Sequence, residues 1–242
     1  MKAMILAAGL GTRLRPLTDT RPKALVEIGG RTLLEITLSH LRSFGVQDVI
    51  INVHHFGEMI VDYLQANGSF GMDIEVSRED VLLDTGGGLK KAGWFFADSA
   101  EPFILHNVDV LSTIDLARMA QAHVRSGALA TLAVKHRDAS RYLLFDDQGQ
   151  LCGRRHGQQT ELVRTGLTVE PLAFCGIHVI SPRLLPMLIE NGAFSIIDSY
   201  VHVASDGEEI RAFRADEYYW RDLGRVESVE QAERDFQQNL II

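Results

Sequence analysis

Apolar runs at residues 2–6, 48–53 and 102–106 have strand length, and between them apolar residues recur at helical spacing. That alternation predicts an α/β fold: a central, mostly parallel mixed sheet with helices on both faces. The first helix is the most sharply drawn. In TLLEITLSHLRSFG, Leu34, Leu38 and Leu41 fall on one stripe, Thr32 and Glu35 have capping-box spacing, and Gly45 supplies a left-handed stop. Further helices are expected over 57–66, from near the glycines at 86–88, and over 115–126, with a weak strand at 73–77. From 129 to 180 the pattern is mainly that of strands, including a hairpin at FDDQGQ. Short helices near 182–189 and 195–204 follow, then strands at 209–214 and 217–221. A closing helix at 226–239 puts Val226, Val229, Phe236 and Leu240 on or near one stripe. With no repeat, low-complexity segment or linker, residues 1–242 read as one domain.

Composition then narrows the partner. A chain of 242 residues with 46% hydrophobic content has ample material for a core. Its net charge of -8 argues against general nucleic-acid binding, yet leaves room for a local cationic pocket that holds a small anionic metabolite. No apolar stretch approaches membrane-spanning length, and a strand pattern stands where a secreted chain would carry a basic segment and an apolar stretch. Cys152 and Cys175 have no metal-ligand spacing and are expected to be reduced, so the chain reads as cytoplasmic, with no membrane partner. Nothing in the pattern argues against a homo-oligomer.

Ligands of open α/β sheets gather beyond the carboxyl ends of the strands, and four segments there carry chemistry. The first is AAGLGTRLRPLTDTRPKAL, residues 7–25. Its small residues let backbone N–H groups of Gly9, Gly11 and Thr12 approach a ligand, while Arg13 and Lys23 offer charge to phosphate oxygens. It is neither a dinucleotide turn, which would need glycine where Leu14 stands, nor a Walker loop, which would need Gly-Lys-Ser/Thr. The second is LLDTGGGLKKAG, whose glycines cost about 1 kcal/mol each against alanine in regular structure, so a close approach to a planar base accounts for them. The third is PFILHNVDVL, a buried strand ending at Asn107 and Asp109. The fourth is EYYWRDLGRVES, which brings Asp222. Two carboxylates suit Mg²⁺, which fills its octahedron with water and substrate phosphate.

LAAGLGTRLRPLTDTRPKAL resembles the Gly-x-Gly-Thr-Arg…Pro-Lys signature of sugar-1-phosphate nucleotidyltransferases, and DTGGGL, NVDV, FCGIHVIS and YYWRDLG follow in that family's order. The resemblance implies a Rossmann-like nucleotidyltransferase fold and Mg²⁺-dependent transfer of a nucleoside monophosphate from an NTP to a sugar 1-phosphate, with release of pyrophosphate. It implies that Ala7, Ala8, Gly9 and a Gly86-Gly87 turn touch the base, and that Gly11, Thr12 and Arg13 hold the triphosphate. It further implies Lys23 near the α-phosphate and metal on Asp109 and Asp222. Among short relatives the chain looks most like N-acetylmuramate-1-phosphate uridylyltransferases and mannose- or heptose-1-phosphate guanylyltransferases, which favours UTP or GTP. A single nucleotidyltransferase domain is expected, with no counterpart of the left-handed β-helix that several relatives append.

Some positions depart from the family. Val108 stands where a small residue is usual before the metal carboxylate, and LCGRRHGQQTEL replaces the Glu-Lys-Pro segment used on the sugar side. These motivate a rival reading, a catalytically silent nucleotide-sugar sensor. A second rival is a cytidylyltransferase for phosphocholine or a similar phosphorylated alcohol, with Tyr218, Tyr219 and Trp220 as an aromatic cage. His54, His55 and His106 lack ligand geometry because neighbouring strand residues alternate in direction. Lys90 and Lys91 read as a solvated helix face, and Arg225 as a position with no assigned role.

Overall fold

The Thr32 hydroxyl opens the first helix as its spacing predicts, accepting from the Glu35 N–H at 3.1 Å. Only half of the capping box forms, because the Glu35 carboxylate turns to the Arg31 Nε–H at 2.8 Å. Gly45, at φ +78°, ends the turn as expected.

The computed structural model describes residues 1–166 and 168–238. In chain order it contains β1 (Ala3–Leu6), β2 (Glu27–Ile28), β3 (Arg31–Thr32), α1 (Leu33–Ser43), β4 (Asp48–Val53), α2 (Gly57–Ala66), β5 (Asp73–Arg78) and α3 (Asp84–Ala92). There follow β6 (Phe103–Asn107), β7 (Val110–Ser112), α4 (Leu116–Ser126), β8 (Ala130–Lys135), β9 (Arg141–Phe145), β10 (Leu151–His156) and β11 (Gln159–Leu162). The last are β12 (Glu170–Ile180), α5 (Ile196–Ser205), β13 (Ile210–Arg214), β14 (Trp220–Asp222) and α6 (Val226–Gln237).

The main sheet runs β11-β10-β9-β12-β6-β1-β4-β5, with β8 also on β12 and β13 on β8. Strands β6, β1, β4 and β5 are parallel, as their helical crossovers require. The segment 129–180 supplies the antiparallel part through β8, β9, β10, β11 and β12. β12 serves both parts because a bulge between Phe174 and His178 redirects it, with Gly176 at φ +75° in the kink. Two cores result. Helices α1, α2, α4 and α6 cover one face through Leu38, Ile60, Met119 and Val229, and α3 and α5 cover the other through Leu89, Ile196 and Tyr200.

The departures from expectation are local. Residues 182–187 form a 3₁₀ turn in place of a helix, since Pro186 lies inside and brings no N–H. The 217–221 strand shortens to β14, and α6 ends at Gln237, with residue 239 and Leu240 outside the described residues. The glycines at 86–88 lie within α3, which starts at Asp84. Cys152 and Cys175 are buried free thiols, and burial pushes the Cys175 thiol up to about 12, which leaves it unreactive. No helix among the described residues is long and apolar enough to cross a membrane.

Candidate active site

Beyond the carboxyl ends of β1, β4 and β6 lies a cleft of about 590 Å³. The first loop forms its floor. Gly11 adopts φ +65°, and a Cβ there would lie 2.9 Å from Thr18 Cγ2, so the turn requires glycine. Thr18 donates its hydroxyl to the Gly11 carbonyl at 2.8 Å and so fixes the loop. Ala7, Ala8, Gly9, Gly11, Thr12 and Arg13 all line the cleft, as do Lys23 and Asp109.

A buried polar chain holds this floor to its neighbours. The Ala7 N–H donates to Asn52 Oδ1 at 2.7 Å, and Asn52 Nδ2 donates to Glu79 Oε1 at 2.7 Å. The other Glu79 oxygen accepts the Leu83 N–H at 2.9 Å, just before α3. Three segments distant in sequence thus meet through two side chains that the motif reading missed. The available signal was a polar residue inside the apolar run VIINV, which had no partner assigned.

The two candidate metal carboxylates come together by strand pairing. Asp222 on β14 stands opposite Val110 on β7, next to Asp109, and the Leu223 N–H donates to the Asp109 carbonyl at 2.8 Å. Asp109 is ion-paired with Lys23, whose side chain is 10% exposed. Asp222 Oδ1 accepts the Gly224 N–H at 2.7 Å. A Cβ on Gly224 would sit 2.6 Å from that same oxygen and 2.8 Å from Arg13 Nη2, so Arg13 and Asp222 crowd one spot at the cleft edge. Among the described residues no group of three or more His, Cys, Asp or Glu could hold a metal. Asp109 lines the cleft, whereas Asp222 is absent from its lining and reaches the site only through its place beside Asp109 and Arg13. A pair of carboxylates is the number that Mg²⁺ takes when substrate and water complete its octahedron, and too few for an all-protein zinc or calcium cage.

Gly86 and Gly87 need a correction. They are interior helix positions and not a turn, and they are absent from the cleft lining. A Cβ on Gly86 would lie 2.3 Å from the Phe194 ring, and one on Gly87 2.4 Å from the Gly192 carbonyl oxygen. Their smallness is used in packing α3 on residues 192–196, while Leu82, Asp84 and Thr85 form that edge of the cleft. Asp84 holds a left-handed φ of +58°, an unusual conformation for a residue with a side chain.

Other sequence candidates fall outside the chemistry. His106 is buried, with Nδ1 2.8 Å from the Asn107 carbonyl, and burial lowers its pKa to about 4. His54 Nδ1 lies 2.8 Å from the Glu79 carbonyl. Lys90 donates to the Glu190 carbonyl at 2.6 Å, and Lys91 to that of Arg78. Arg225 is the N-cap of α6 and makes no side-chain cap bond. The aromatic cage does not form: Arg137 lies 4.2 Å over the Trp220 ring, Arg221 5.9 Å over Tyr219 and Arg118 6.0 Å over Tyr218. Each ring already carries an internal cation.

The profile described as "Nucleotidyl transferase" matches residues 2–150. The chain is 32% identical over 233 residues to the N-acetylmuramate alpha-1-phosphate uridylyltransferase of Caulobacter vibrioides, covering 92% of this chain and 91% of that one. It is 38% identical over 230 residues to a mannose-1-phosphate guanyltransferase of Emericella nidulans, covering 93% of this chain and 61% of the other. The chain thus spans nearly all of the first relative and about three fifths of the second. Among solved structures, UDP-glucose pyrophosphorylase from Acinetobacter baumanii superposes with a TM-score of 0.79 at 18% identity, over 99% of this chain and 98% of that one. HddC from Yersinia pseudotuberculosis does so with a TM-score of 0.79 at 21% identity, over 97% and 99%. The chain belongs to the nucleotidyl transferase family, and within it to the sugar-1-phosphate nucleotidyltransferases.

Proposed function

We propose that this chain moves a nucleoside monophosphate from UTP or GTP to a sugar 1-phosphate, and that Asp109 and Asp222 would hold the Mg²⁺ on which the transfer depends. The observation that carries this reading is the convergence of Lys23, Arg13 and Asp109 on a cleft floored by backbone, with Asp222 beside Arg13 at its edge. A phosphate oxygen of the acceptor attacks the α-phosphorus, the bond to the bridging oxygen breaks, and that oxygen leaves with pyrophosphate. Two polyanions must meet, so catalysis consists of neutralising repulsion and aligning the attack, and no protein nucleophile is required. Bound Mg²⁺ supplies part of that neutralisation. Backbone N–H groups of Gly11 and Thr12, with the Arg13 fork, clasp the triphosphate, and Lys23 stabilises charge at the α-phosphate.

The base lies over Ala7, Ala8 and Gly9, with Leu82, Asp84 and Thr85 along its edge. Asn107 lines the cleft, and its buried Oδ1 has no partner among the described residues, which supports a role for this side chain in bonding a substrate hydroxyl or amide. The silent-sensor alternative is favoured by Val108, which is buried and lines the same cleft. A matrix of four NTPs against a panel of sugar 1-phosphates, read by pyrophosphate release with and without Mg²⁺, decides between them. Release with UTP or GTP that needs the metal is expected. Nucleotide-sugar binding with no release above blank from any combination would make the chain a sensor.

A further inference from the structure

A second cleft, of about 570 Å³, is formed by β9, β10 and β11 together with the start of α5. The ladder register arranges its residues in rows. Arg141 on β9 stands opposite His156 on β10, which stands opposite Gln159 on β11. Two positions along, Leu143, Arg154 and Glu161 form another such row. Strand alternation places these two rows on one face and the intervening row, Tyr142, Arg155 and Thr160, on the other. Arg154 identifies the face, because it reaches Asp198 on α5 as well as Glu161 at 2.7 Å. Arg141 and His156 therefore share the face that looks toward α5.

The charges in this cleft do not balance in pairs. Arg154 is spent on Asp198 and Glu161, the only carboxylates among the described residues that line the cleft, and Arg155 lies 4.8 Å over the Tyr142 ring. Among the described residues Arg141 has no carboxylate partner, and nothing anionic answers the imidazole beside it. This cleft also adjoins the transfer site. Ala193 lines the first cleft and Ser195 the second, so Phe194 alone separates them along the chain, a span of about 7 Å at most.

We propose that the second cleft takes the sugar end of the acceptor, and that Arg141 and His156 select a sugar 1-phosphate bearing a second anionic group, a carboxylate or a phosphate. The inference rests on the transfer reading above and specifies its acceptor. From LCGRRHGQQTEL only His156 joins Arg141 in this role, because Arg154 is held by Asp198 and Glu161 and Arg155 lies over Tyr142 on the other face.

The test uses matched acceptor pairs with saturating nucleotide. N-acetylmuramate 1-phosphate against N-acetylglucosamine 1-phosphate differs by one carboxylate-bearing ether, and glucose 1,6-bisphosphate against glucose 1-phosphate differs by one phosphate. The charged member of one pair is expected to have a kcat/KM at least about tenfold higher, the usual scale for a charge-assisted contact. Which pair responds identifies the anion. Arg141→Gln should bring that ratio toward one and Arg141→Glu should invert it. Equal kcat/KM within both pairs, or a ratio untouched in Arg141→Gln, overturns the proposal. Calorimetry on the same pairs separates it from the transfer reading. Tighter binding of a charged member with no pyrophosphate from any acceptor would sink transfer and uphold the charge selection, whereas no preference in binding would overturn the selection itself.

Discussion

Arg13 and Lys23 are both cations of one loop, and composition treats them alike, but their surroundings differ. Lys23 is 9% exposed, follows Pro22 into a 3₁₀ turn, and is paired with Asp109. Arg13 is exposed at the cleft edge, where a Cβ on Gly224 would touch both its guanidinium and Asp222. A contact made equally with substrate and transition state acts on KM, and one that strengthens as charge shifts acts on kcat. Arg13→Ala is therefore expected to raise KM for the nucleotide chiefly, and Lys23→Ala to lower kcat by about 100-fold, the effect of losing one transition-state donor. Steady-state kinetics at saturating Mg²⁺ and acceptor distinguishes the two, and a Lys23→Ala effect confined to KM would remove Lys23 from the reacting phosphorus. At this scale the sequence was informative wherever chemistry made a residue conspicuous: cations among glycines, or an aspartate just past a strand. It was silent on Asn52 and Glu79, whose role exists only because Ala7 and Leu83 are brought to them.

Helix α3 is where a correct observation led to an incomplete cause. Three consecutive glycines are costly in a helix, and the demand for smallness was legible, but the atoms that impose it belong to residues 192–196 for Gly86 and Gly87, about a hundred positions later, and to Asn52 and Glu79 for Gly88. No local pattern carries that information. Gly87→Ala sets two effects against each other. Alanine is worth about 1 kcal/mol in helix propensity, whereas its Cβ would lie 2.4 Å from the Gly192 carbonyl oxygen, and forcing backbone apart costs about 1–3 kcal/mol. The clash should win, so chemical denaturation is expected to find Gly87→Ala less stable than wild type. Equal or greater stability would mean that the 192–196 segment yields freely. The β12 bulge was illegible for a similar reason, since FCGIHVIS reads as an unbroken strand and only pairing with both β8 and β6 exposes the kink at Gly176.

At the level of the whole molecule, the parallel half of the sheet was readable because each strand is followed by a helix with its own apolar stripe. The antiparallel half was readable as strands but not as an order, because hairpin neighbours and long-range partners leave the same alternating signature. Three buried histidines spread over the fold give it a measurable response to acid. Burial lowers His106 and His123 to about 4 and His178 to about 3, from an ordinary value near 6.5. Between those limits the unfolded chain binds protons that the folded chain refuses, so stability is fully present above about pH 6.5 and declines as pH falls toward 4. Calorimetric Tm should accordingly drop between pH 7 and 5, above the range in which carboxylates titrate, and a flat Tm there would mean that these imidazoles protonate in place. The segment that packs on α3 has a wider meaning. Phe194 donates its N–H to the Leu83 carbonyl at 3.2 Å and accepts from the Gly86 N–H at 2.9 Å, and the Ile196 N–H reaches Thr85 Oγ1 at 2.9 Å. The edge of the first cleft and the edge of its neighbour are thus stitched into a single body. If a nucleotide that moves this body alters the affinity for the acceptor, linkage obliges the acceptor to alter the affinity for the nucleotide by the same factor, and cooperativity between the two becomes a property of Phe194 as much as of either substrate.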